Sequence, residues 1–194
     1  MTFPAVVTAG TRSDSMLSVN KLIPGGRGLA ASLIARAGSV RLDWDSRQKS
    51  RIDAVDAVGR RLAIVLPRGS VLRHGDVLVA ADGGLIVVQA AAQPLMLVRS
   101  SAARALSRAA YHLGNRHVQV DIRDDSLRFE PDHVLADMLR GMGFDVSSID
   151  DGFEPEGGAY RADAAARGHG HDHGHRHDHG HRHDHHDDHD DHGH

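Results

Sequence analysis

The sequence predicts an α+β protein: a β-rich N-terminal domain, a ferredoxin-like βαββαβ C-terminal domain and a disordered His-rich tail. Three observations predict it. Short segments alternating polar and apolar residues fill the first half. Two amphipathic helical stripes, each ending in glycine, interrupt strands in the second half. From Gly168 onward almost every second residue is histidine, with no apolar periodicity.

The elements follow in order. SVRLDW (39–44), RIDAV (51–55) and RRLAIVLP (60–67) read as strands with one buried face. DAVGR (56–60) supplies a glycine turn between the last two, and PGGRG (24–28) marks a loop. These bound a first domain at residues 1–76. The second, 77–152, opens with the extended segments LIVVQA (85–90) and PLMLV (94–98). SSAARALSRAAYHLGN then puts Ala102, Ala105, Leu106, Ala109, Ala110 and Leu113 on one helical stripe. Ser100 or Ser101 is the expected N-cap, and Gly114 the residue free to take a positive φ at the other end. HVQVDI (117–122) and SLRF (126–129) read as strands. A second helix starts near Pro131 or Asp132, carries Val134, Leu135, Met138, Leu139 and Met142, and ends at Gly141 and Gly143. FDVSSI (144–149) closes the βαββαβ order. Residues 153–167 read as a loosely packed linker and 168–194 as the tail.

Composition excludes several functions. The tail's 27 residues hold 13 of the 17 histidines, seven Asp and two Arg, so it is net −5 with neutral imidazoles. The chain is −3 overall, which leaves the body near neutral and gives no case for nucleic acid or an anionic membrane. With no cysteine there is neither a disulfide nor a thiolate metal site. The N-terminus lacks a basic segment followed by an apolar run, and no stretch approaches 18 apolar residues, so a cytoplasmic protein is expected. There is no GxxxxGK[ST] phosphate loop, no HExxH and no paired nucleophile and base, so no enzyme is expected.

Metal binding is what remains. His169, His171, His173, His175, His177, His179, His181, His183, His185, His186, His189, His192 and His194 can form many interchangeable imidazole sites. Such sites suit Ni(II), Cu(II) and Zn(II). Expression tags are usually unbroken histidine runs, and this varied segment reads as native. In the body, His112 and His117 flank the YHLGNRHV turn, and His133 lies in the first turn of the second helix, where the helix dipole disfavours imidazolium. Spacing alone favours bland roles for them: a half-buried helix residue at His112 and exposed residues at His117 and His133. His74 reads as a surface loop residue.

The motifs together resemble the UreE family of urease accessory proteins. RQKSR (47–51) and LPRG (66–69) look like its N-terminal domain. GDVL (75–78), YHLGNRH (111–117), DHVL (132–135) and GGAY (157–160) look like its C-terminal half. The resemblance implies a nickel metallochaperone with a peptide-binding-like first domain and a homodimer through the second. It also implies a Ni(II) ligand at His117 of each subunit, and delivery to the UreG GTPase and the urease apoprotein. His112 and His133 match secondary metal positions of some members. Glu130 and Pro131 stand where some relatives carry a further histidine, which departs from that pattern. Metal storage or detoxification through the tail is the alternative. A peptide-binding chaperone, with metal incidental, is a third reading.

Overall fold

The structure is a computed structural model that describes residues 16–157. The tail histidines, His169 to His194, and most of the expected linker lie outside the described residues.

Six strands build the first sheet: β1 (Leu17–Ile23), β2 (Gly38–Leu42), β3 (Arg51–Val55), β4 (Arg61–Val65), β5 (Val77–Ala80) and β6 (Leu85–Ala90). Their order is β2-β6-β5-β1-β4-β3. A bridge between Val40 and Asp56 links the two outer strands, so the sheet nearly closes on itself. Alternate residues point inward: Val19, Val40, Leu62, Ile64, Leu78 and Ile86 are almost fully buried in one cluster. Two short helices, α1 (Ala31–Ile34) and α2 (Trp44–Arg47), lie between strands.

Asp56 secures the closure. Its carboxylate accepts from the Val58 and Arg60 backbone N–H groups at 3.0 and 2.8 Å and from Arg60 Nε at 2.7 Å. Burial pushes this carboxyl up, but the bonds from Arg60 and Val58 outweigh burial and hold it below the ordinary value.

The second sheet contains β7 (Ala92–Arg99), β8 (Asp121–Ile122), β9 (Ser126–Phe129) and β10 (Val146–Gly152), in the order β10-β7-β9-β8. Every pair is antiparallel. With α3 (Ala103–Gly114) and α4 (His133–Gly141) the order is βαββαβ, ferredoxin-like as expected. Leu106, Ala109 and Leu113 of α3 and Leu135, Ala136 and Leu139 of α4 share one core with Met96, Val98, Leu127 and Phe129. Leu95 belongs instead to a second cluster with Trp44 and Phe153. Strand alternation explains the split, since neighbouring residues of β7 face opposite sides of the sheet.

Several expectations are corrected. The division near residue 76 does not follow the sheets: β5 and β6 pair with β1 and β2, so the first sheet runs to Ala90. Central β1 carried no clean alternation and was not anticipated. Residues 117–120 are not strand; β8 begins at Asp121. Neither Ser100 nor Ser101 caps α3: the N-cap is Ala102, whose N–H donates to Ser100 Oγ at 3.1 Å. Val134 is 63 % exposed and leaves the expected stripe to Ala136. Residues 153–156 are not loosely packed, because Phe153 is fully buried.

Candidate metal centre

His117 sits on the turn that ends α3. Two backbone bonds define this turn: Val118 N–H donates to the Leu113 carbonyl at 3.3 Å and His117 N–H to the Gly114 carbonyl at 2.9 Å. This pair is the Schellman arrangement, in which one residue just past the helix takes the left-handed conformation. That residue is His117, with φ 57°, the one non-glycine residue of positive φ among the described residues. Gly114, expected to do this, is still helical. The hydrophobic pair that accompanies such turns is also present: Leu113 is fully buried, and Val118 packs on the same cluster. The His117 side chain is exposed. The turn therefore presents one imidazole to solvent from a backbone held by the helix end.

His112 is half-buried one turn earlier, its ring edge-on to Tyr111 with centroids 5.4 Å apart. The Arg116 guanidinium donates to the His112 carbonyl at 2.9 Å. His133 is exposed at the start of α4. Asp132 caps that helix, accepting from Val134 and Leu135 N–H at 2.8 and 3.0 Å. His133 borders an open groove with Met96, Pro131, Asp132, Val134, Ala136 and Arg140. His74 is exposed, and its Nδ1 accepts from Ala90 N–H at 3.2 Å.

Among the described residues, no three His, Cys, Asp or Glu side chains are grouped to hold a metal ion. No helix among the described residues is long and apolar enough to cross a membrane.

Sequence reasoning missed the residues that pack behind this turn. Trp44 is buried, with the guanidinium groups of Arg47 and Arg73 over its ring at 5.0 and 4.9 Å from the ring centre. Fully buried Arg47 pairs with Glu154 and donates to the Phe153 carbonyl. Burial pulls the Arg47 guanidinium below the ordinary arginine value, against the opposing pull of the Glu154 carboxylate. Arg47 opens the RQKSR segment, but nothing local in that segment signals a buried cation.

Comparison with known proteins is consistent along the chain. Residues 19–91 match the UreE urease accessory protein N-terminal domain and residues 93–185 its C-terminal domain, a division that agrees with the two sheets. A urease accessory protein UreE of Albidiferax ferrireducens is 54 % identical over 81 % of this chain and 91 % of its own length. The corresponding protein of Polaromonas naphthalenivorans is 52 % identical over 81 % of this chain and 76 % of its own. That of Methylibium petroleiphilum is 58 % identical over 79 % and 72 %. The chain belongs to the UreE family of urease accessory proteins, which are not enzymes.

Proposed function

We propose that the protein is a cytoplasmic nickel metallochaperone that supplies Ni(II) for assembly of the urease active site. The observation that carries this reading is the exposed His117 on a backbone-locked turn. A single imidazole cannot hold a metal well, but a two-fold axis doubles it. In a homodimer the two His117 rings would bind Ni(II) and leave its other positions open. Open positions admit incoming ligands from an acceptor before imidazole leaves, whereas a closed four-ligand cage would retain the metal. The UreG GTPase and the urease apoprotein are the acceptors in this reading. His112 and His133 would be secondary ligands. Cu(II) and Zn(II) would compete, since imidazole does not select nickel by affinity.

The tail would act as a reservoir. Glu156 N–H donates to the Val120 carbonyl at 2.9 Å, so the tether starts beside a residue that closely follows the His117 turn in sequence. Twelve residues lie between Glu156 and His169, a stretch that spans at most about 45 Å when extended. Such a tether raises the effective metal concentration near His117.

The test uses the full-length chain with its tail histidines changed to Gln, so that Ni(II) titration reads the body. This chain should bind about one Ni(II) per two chains. His117→Ala should weaken that site by ~100-fold or more, beyond what losing a mere supporting residue costs. Unchanged binding would refute the reading. The thirteen tail histidines favour storage as the second reading. If urease activation in cells survives His117→Ala and is lost only when residues 168–194 are deleted, storage is the better description.

A further inference from the structure

We propose that the first domain holds the His117 turn in its ligating position through Gln119, so that Trp44 and Gln119 are positioning residues of the metal site. The inference rests on reading His117 as the ligand. Gln119 stands two residues past His117, in the stretch between the turn and β8. Both ends of its side-chain amide are engaged by the first domain. Its Oε1 accepts from the Trp44 indole Nε1–H, and its Nε2 donates to Gln48 Oε1 at 3.4 Å. Trp44 opens α2 and Gln48 caps its end, so one short helix grips the amide from two sides.

The grip is rigid on the α2 side. Asp43 caps the helix, accepting from Ser46 N–H at 2.8 Å. Trp44 N–H donates to Gln93 Oε1 at 2.8 Å. The indole itself has two guanidinium groups over its ring and meets the Phe153 ring edge-on, with centroids 6.1 Å apart at 85°. A side chain so confined donates its N–H in one direction.

The backbone on either side of Gln119 is also tied. Val118 is bonded back to Leu113, and the Val120 carbonyl is taken by Glu156. Glu154 N–H donates to Asp121 Oδ2 at 3.3 Å just beyond. The link from His117 to the first domain is therefore short, two residues of backbone and one clamped amide. Ligating geometry tolerates displacements of only about 0.5 Å. In a site shared between two chains, an error in one turn is also repeated in the other. An inter-domain bond placed two residues from the ligand converts the orientation of the first domain into the position of the imidazole.

The experiment is a double-mutant cycle with Ni(II) alone. It uses the full-length chain with tail histidines changed to Gln, in four forms: Trp44 and Gln119 intact, Trp44→Phe, Gln119→Met, and both together. His117→Ala is the reference, and thermal unfolding is followed in parallel. Each single change should weaken Ni(II) binding about tenfold, and the double change no further, because both remove the same link. Gln119 is exposed, so Gln119→Met keeps the test open should Trp44→Phe unfold. Loss of binding in His117→Ala with unchanged affinity in Gln119→Met would overturn this inference alone. Equal affinity in the intact chain and in His117→Ala would overturn the ligand reading as well.

Discussion

The ends of α3 and α4 are the same turn built with different residues. At α4, Gly143 N–H donates to the Arg140 carbonyl at 2.9 Å and Phe144 N–H to the Leu139 carbonyl at 3.0 Å. At α3 the matching bonds run from His117 to Gly114 and from Val118 to Leu113. Leu139 with Phe144, and Leu113 with Val118, supply the apolar pair in each, and all four belong to one core. The left-handed residue is where they differ in kind. Gly143 takes φ 90° with no Cβ to oppose it, and His117 takes φ 57° despite one. A non-glycine residue there costs roughly 1–2 kcal/mol, although histidine is among the types enriched in that region. A helix end that serves folding alone is satisfied by glycine. One that keeps an exposed histidine in the left-handed region accepts a stability cost, and a ligand role is the reason we assign to it.

The comparison can be broken or sharpened by mutation. The largest effect is expected where the turns are alike. Leu113→Ala and Leu139→Ala each remove a fully buried side chain from the shared core and should each cost about 2–5 kcal/mol in chemical denaturation. Markedly unequal losses would mean the two turns are not equivalent anchors. Smaller effects of opposite sign are expected where they differ. His117→Gly should raise stability by about 1 kcal/mol while weakening Ni(II) binding by the body ~100-fold or more. Gly143→Ala should lower stability by about 1 kcal/mol. Its Cβ would meet nothing within 4 Å, so the loss isolates the backbone term. A destabilised His117→Gly would show that the imidazole makes a structural contribution that offsets its backbone cost.

Acid should separate the metal site from the fold. Only neutral imidazole ligates, so Ni(II) binding should fade on mild acidification. Asp56 acts in a different window. Its carboxyl is depressed in the folded state, so its stabilisation is full above the ordinary carboxylate value of 3.8. That stabilisation is lost only as pH falls through the lower folded value. Circular dichroism and Ni(II) binding followed together should therefore show metal release well before the first sheet opens. Coincident loss would tie release to unfolding instead.

Much of the second domain was legible from the sequence. Its helices announce themselves by the spacing of Leu106, Ala109 and Leu113 and of Leu135 and Leu139, a period that only a helix satisfies. The candidate ligand was legible as a residue but not as a conformation. Gly114 is the obvious choice for a left-handed cap, yet it stays helical as the last residue of α3, because Leu113 and Val118 bury together only if the turn closes at His117. β5 and β6 were legible as apolar segments but not as members of the first sheet, since alternation does not name a strand's partner. Phe153 sat in a segment rich in Gly and Glu, and its burial depends on Trp44, over a hundred residues earlier.

By itself the sequence determined the chemistry available: imidazole and carboxylate side chains, no thiolate, and a tail in which 13 of 27 residues are histidine. It also determined the order of the elements in the second domain, because helical and strand periodicities are local properties of the chain. Only the tertiary structure decided that His117 occupies the left-handed corner of a locked turn. It alone placed Trp44 and Gln48 on the amide of Gln119, and it alone carried the first sheet to Ala90. Those outcomes depend on which distant surfaces bury one another, and that information lies in the packing of the whole chain rather than in any window of it.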